Sequence, residues 1–154
     1  GFIKNRDVVY ELCKYILSPY TEVRRAAVLS LKEIGDERMY PYIMRLLVSA
    51  DELKKVYALD ALYFLGNERL VPLILEFLKS PNKSVRLLAL RILAKFHTNE
   101  MENIIGNIII KDRNSEVKIK ALEIADRWYN PNLFHSVVKA LSDKDFAVRK
   151  MALK

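Results

Sequence analysis

The 154 residues include one cysteine, two histidines, one tryptophan and four glycines, and each scarcity removes a class of answer. A single thiol, Cys13, cannot close an internal disulfide, so a reducing compartment, by default the cytoplasm, is expected. No apolar run approaches the ~20 residues of a membrane span, and the opening GFIKNRD lacks the apolar centre of a signal peptide. His97 and His135 stand far apart without clustered partners, which argues against a metal or redox centre. There is no glycine-rich phosphate loop and no Ser/His/Asp set. No catalytic residue, cofactor or metal is therefore expected.

What the chain does have is positive charge and a repeat. The balance of 26 Lys and Arg against 19 Asp and Glu gives +7, which favours acidic partners without choosing among them. Much of the excess is local: Lys79, Lys83, Arg86, Arg91 and Lys95 follow one another between Glu76 and Glu100 with no acidic residue among them. Residues 79–95 are thus the sector for a nucleic-acid partner. With 51% hydrophobic residues, the chain has material for a core of single-domain size.

The stretch IGDERMYPYIMRLLVS, from Ile34, returns 31 residues later as LGNERLVPLILEFLKS, from Leu65. TEVRRAAVLSL, KSVRLLALRIL, SEVKIKALEIA and FAVRKMALK open further copies. Ala27, Ala58, Ala89, Ala121 and Ala152 mark steps of 31, 31, 32 and 31, and Arg24, Lys55, Arg86, Lys118 and Arg149 keep the same step three residues earlier. Apolar residues recur at helical spacing, as in Val23, Ala27, Leu31 and Ile34, then Met39, Ile43, Leu46 and Leu47. Gly35 and Gly66 suit helix C-termini, and Pro41 and Pro72 suit the first turn of the next helix. Each unit reads as a helical hairpin, and SPYTE, SPNKS, KDRNSE and SDKD join one hairpin to the next. The pattern predicts about ten helices, near 7–17, 20–34, 39–48, 51–65, 70–79, 82–96, 100–110, 114–128, 132–141 and 145 onward. As one array it divides into a partial repeat at 1–18, repeats at 19–49, 50–80, 81–111 and 112–142, and a partial repeat at 143–154.

Val-Arg, an alanine three residues after the Arg, Leu-Gly-Asn/Asp and then Val-Pro before an apolar helix resemble HEAT repeats of the short kind seen in phycobilisome lyases. The resemblance runs through essentially the whole chain. It implies an all-α fold, an α-solenoid in which stacked antiparallel hairpins form a right-handed superhelix. First helices would line the convex side and second helices the concave side, and such solenoids mostly bind other macromolecules. It also admits an accessory subunit of a chromophore lyase or another enzyme. Copy two departs from the pattern with Lys54 where the others have Val23, Val85, Val117 and Val148. His97 and Tyr129 replace the turn glycine, so those turns are expected to be less regular.

Deoxyhypusine hydroxylase uses similar repeats with His-Glu pairs, but here His97 precedes Thr98 and His135 precedes Ser136, which excludes that activity. ADRWYN invites comparison with HEAT-like alkylpurine DNA glycosylases. Trp128, however, takes the place of Ile34, Leu65 and Phe96 and is expected to pack inward, with Asp126 an ordinary solvated residue. Cys13 aligns with Met44 and Leu75, as a buried, inert thiol would.

The row Arg24, Lys55, Arg86, Lys118 and Arg149 reads first as an inter-repeat ladder, with Asp112 and Asp143 placed to pair with it, and second as a line of phosphate contacts. Residues that differ between copies are better recognition candidates. On second helices these are Tyr42 and Arg45, with Glu11 and Lys14, Leu73 and Glu76, Ile104 and Asn107, and Ser136 and Lys139 in the other copies, and Tyr10 adjacent. Tyr10, Lys14, Tyr42, Arg45, Leu73, Glu76, Asn107 and Lys139 are the expected partner-binding set, for a protein or peptide rather than a phosphate track. The chain opens and stops inside a repeat, and neither end carries a polar cap, so a fragment of a longer protein is expected. Phe2, Ile3, Val9 and Leu12 at the front, and Val148, Met151 and Leu153 at the back, should then be exposed, with fraying or end-to-end self-association following.

Overall fold

The computed structural model describes residues 6–96 and 99–154. Among them there are ten α-helices and three short 3-10 turns, and no strand. The chain clusters into two compact units, Gly1–Arg69 and Leu70–Lys154. The division falls inside the expected repeat 50–80.

The first unit contains α1 (Arg6–Lys14), α2 (Thr21–Ile34), α3 (Met39–Leu47) and α4 (Glu52–Leu65), with a 3-10 turn at Tyr15–Leu17. First helices pack on first helices (α2 on α4), second on second (α1 on α3), and each layer on the other. The second unit repeats this layering. It holds α5 (Val71–Phe77), α6 (Lys83–Leu93), α7 (Asn99–Lys111), α8 (Ser115–Trp128), α9 (Phe134–Ala140) and α10 (Phe146–Ala152), with α6 on α8, α8 on α10 and α7 on α9. The fold is the all-α helical repeat that the 31-residue period predicts.

The core comes from the repeat columns. Ala27, Ala58, Ala89 and Ala121 are buried, because a methyl is the largest group that lets stacked first helices approach closely. Leu31, Leu62 and Leu93 lie one turn further on, also buried. Val85, Val117 and Val148 are buried, but Val23 is exposed.

The first helices start from Tyr20, Asp51, Asn82, Asn114 and Asp145, and Tyr20 makes no side-chain cap. In the last four, a side-chain oxygen accepts from one or two backbone N–H groups of the first turn, which otherwise lack partners. Two residues upstream, Ser18, Ser49, Ser80, Asp112 and Asp143 each accept the cap residue's own N–H, at 2.8–3.2 Å. Second helices begin on a similar turn, in which Asp36, Asn67 and Asn130 accept from Arg38, Arg69 and Asn132 backbone N–H groups.

Three expectations need correction. Tyr129 holds the left-handed turn that Gly35 and Gly66 hold, at φ 51 against 64 and 65, and its N–H still closes the helix on Ala125, so the shape survives loss of the glycine. Val9 and Val148 are buried, because α1 packs on α2 and α3, and α10 on α8 and α9, while Leu12 and Met151 are half-buried and Leu153 is exposed. Trp128 is half-buried rather than enclosed. Phe2, Ile3 and His97 lie outside the described residues.

Candidate functional site

The basic column resolves into local bonding patterns set by what each loop supplies. Arg86 is 4% exposed. Its Nε and Nη2 donate to the two oxygens of Asp112 at 3.0 and 3.1 Å, and its Nη1 donates to the carbonyls of Ser80 and Pro81 at 2.8 and 3.1 Å. Lys118 donates to Asp143 at 2.5 Å, with both side chains largely buried. Arg149 reaches back to the carbonyls of Asp143 and Lys144 at 2.7 and 3.0 Å.

In the first unit, Ser49 stands where the later loops have Asp112 and Asp143. Arg24 keeps the carbonyl bonds, to Ser18 and Pro19 at 2.8 and 3.2 Å, but lies over the Tyr57 ring at 4.2 Å in place of a carboxylate. Arg24 Nε is buried with no hydrogen-bond partner among the described residues. Lys55 pairs within its own helix, with Glu52 at 2.6 Å.

The sector 79–95 is similarly occupied. Lys79 bonds Glu76 at 3.0 Å and Lys83 bonds Glu116 at 2.5 Å, while Arg86 is enclosed with Asp112. Glu76 is a sequence neighbour of Lys79, but Glu116 and Asp112 come from later in the chain, and a linear reading of charge cannot see them beside the segment.

The expected partner-binding residues fall into both units. In the first, α1 and α3 bring Tyr10, Lys14, Tyr42 and Arg45 together. The rings of Tyr10 and Tyr42 meet edge to face with centroids 6.4 Å apart. Lys14 lies 5.0 Å from the centre of the Tyr10 ring, and Arg45 lies 5.8 Å from that of Tyr42. Together with Val9, Cys13, Arg38 and Pro41, Tyr10, Tyr42 and Arg45 line a depression of about 460 Å³. Arg38 is tied on its flank by Asp36, which is buried and accepts through both oxygens. Burial holds the Tyr42 phenol above its ordinary range, and Cys13 and Tyr10 push the same way, so the hydroxyl stays a neutral donor. Burial pushes the Cys13 thiol up to about 11, which leaves it protonated and inert.

In the second unit, Glu76, Asn107 and Lys139 are exposed and Leu73 is half-buried. Ser136, expected on this open face beside Lys139, is instead buried. The cause is Gly106: with no side chain there, α9 approaches α7 until a Cβ on Gly106 would stand 2.8 Å from Ser136 Oγ. A glycine inside an apolar helix is the sequence signal for such an approach.

Among the described residues no three His, Cys, Asp or Glu side chains converge on a metal-sized site, and no helix is long and apolar enough to cross a membrane. No curated protein matches the chain. The family model described as PBS lyase HEAT-like repeat matches residues 23–49, covering α2, its αL turn at Gly35 and α3. The alanines and basic residues of this matched HEAT-like repeat recur at the same register in the later hairpins.

Proposed function

We propose that the chain is a non-enzymatic scaffold or adaptor module that binds a protein partner through the second-helix face of α1 and α3. The observation that carries this reading is the cluster of Tyr10, Tyr42 and Arg45 around one depression, with Tyr10 55% exposed. Tyrosine and arginine supply much of the energy of protein interfaces, and they are rich here at positions that the repeat does not dictate. The charge pairing within 79–95 favours this reading over nucleic-acid binding. A phosphate track needs free cations at regular spacing, and Arg86 is enclosed with Asp112 while Lys79 and Lys83 each already have an acid beside them at the surface. Leu73, Glu76, Asn107 and Lys139 are the corresponding proposed contact residues of the second unit, taken by itself.

The test starts from a partner captured with the wild-type chain, purified and titrated. Tyr42→Ala or Arg45→Ala should each weaken binding by ~1–3 kcal/mol while the helical signal stays unchanged. Normal binding by both variants means that this face is the wrong one. The alternative is tested by salt: affinity for duplex or single-stranded DNA or RNA that falls log-linearly from low to physiological salt would favour the basic sector instead.

A further inference from the structure

On the reading that α1 and α3 form the binding face, we infer that the partner presents an acidic peptide segment, with one carboxylate seated on Arg45 and a neighbouring apolar side chain in the depression between Tyr10 and Tyr42. The charges around the depression decide this. Lys14 is bonded to Glu11 at 2.5 Å, and Arg38 is held by both oxygens of Asp36. Arg45 is different. Its guanidinium lies over the face of Tyr42 and meets no carboxylate among the described residues.

A cation left in this state beside a partly apolar wall is half of a charge-assisted pair. The missing half is a single negative group. A phosphoryl group carries up to two charges and is usually met by two or more cations, and here Lys14 and Arg38 are already engaged. A carboxylate carries one charge and matches the two-pronged guanidinium edge. The walls supply the rest of the specificity. Val9, Pro41 and the two tyrosine rings form an apolar floor and rim, which an aliphatic or aromatic side chain next to the acid would cover. The Tyr42 hydroxyl remains available to a backbone carbonyl of the same segment. A basic segment would place like charge against Arg45, and is disfavoured for the same reason.

The experiment is a selection from a phage-displayed library of random 12-residue peptides on the whole wild-type chain. Recovered peptides are synthesised and titrated against wild type, Tyr42→Ala, Arg45→Gln and Arg45→Glu, each first shown to keep the wild-type helical signal and thermal midpoint. Enriched sequences should carry Asp or Glu within a few residues of Leu, Ile, Phe or Tyr. Affinity should fall about tenfold or more on Arg45→Gln and further on Arg45→Glu. Replacing the peptide's acid by Lys should restore binding to Arg45→Glu and abolish it to wild type. Peptides that depend on Tyr42 but show no acidic preference would overturn the acidic-partner inference and leave the binding face standing. Peptides indifferent to both Tyr42 and Arg45, or a selection that yields none above background, would overturn both.

Discussion

Replacing Arg86 by alanine removes the centre of the most enclosed polar contact between successive hairpins. Arg86 makes four side-chain hydrogen bonds, two to Asp112 and two to loop carbonyls, and is 4% exposed. Its loss leaves the Asp112 carboxylate, itself only 9% exposed, without its counter-charge. Breaking a buried pair from one side in this way costs ~3–5 kcal/mol, most of it the desolvated charge left behind. Arg24 is the internal control, because it has two carbonyl bonds and a tyrosine ring but no carboxylate. Arg24→Ala should cost about 1–2 kcal/mol. Arg86→Met combined with Asp112→Asn should lie closer to wild type than Arg86→Ala, because the asparagine Oδ1 still accepts from Asn114 N–H and no charge is stranded. Urea unfolding followed by circular dichroism at fixed salt gives all four values. The reasoning is refuted if Arg86→Ala costs no more than Arg24→Ala, or if the neutral pair is no better than the single variant.

Gly106→Ala gains helix propensity of about 1 kcal/mol but forces a methyl against Ser136 Oγ, so it should destabilise by about 1–3 kcal/mol net in thermal melts, whereas Gly106→Ala with Ser136→Ala should recover most of that loss. Tyr129→Gly should stabilise by about 1 kcal/mol, because tyrosine at φ 51 carries a left-handed penalty that glycine lacks and its ring is 92% exposed; an unchanged or lower melting midpoint would contradict this. Asp143 is held below the ordinary carboxylate range by the hydrogen bond from Lys118 and then by Asp145 N–H, and Asp145 by the Ser115 hydroxyl and then by Ala147 N–H. Depressed folded-state values mean that this stability is present in full above the unfolded value of ~3.9 and is lost as pH falls through the folded values. Asp143→Asn should therefore flatten the acid limb of stability, and an unchanged limb would show that the pair does not contribute.

The helices were legible because their signals are local and repeated five times. The alanine column, the turn glycines and the helix-entry prolines place every helix boundary within a few residues of where it lies. The pairing of the basic column was only half legible. Asp112 and Asp143 are visible as acids in the right loops, but the bonds of Arg24, Arg86 and Arg149 to loop carbonyls depend on where a folded loop points its backbone. Burial of Ser136 was missed because it depends on Gly106, 30 residues earlier and on another helix. Tyr10, Tyr42 and Arg45 were found as departures from the repeat. The engagement of Lys14 and Arg38, which leaves Arg45 without an acid among the described residues, appears only when side chains have positions.

Hydroxyl-radical footprinting of the chain, alone and saturated with its captured partner, tests the central claim most directly because it reads side chains rather than backbone. Tyr10 and Tyr42 should be oxidised several-fold more slowly in the complex, while Tyr129 and Phe134, which are more open to solvent and belong to the other unit, should react as before. Unchanged rates at Tyr10 and Tyr42, with protection confined to the second unit, would contradict the assignment of the binding face to α1 and α3.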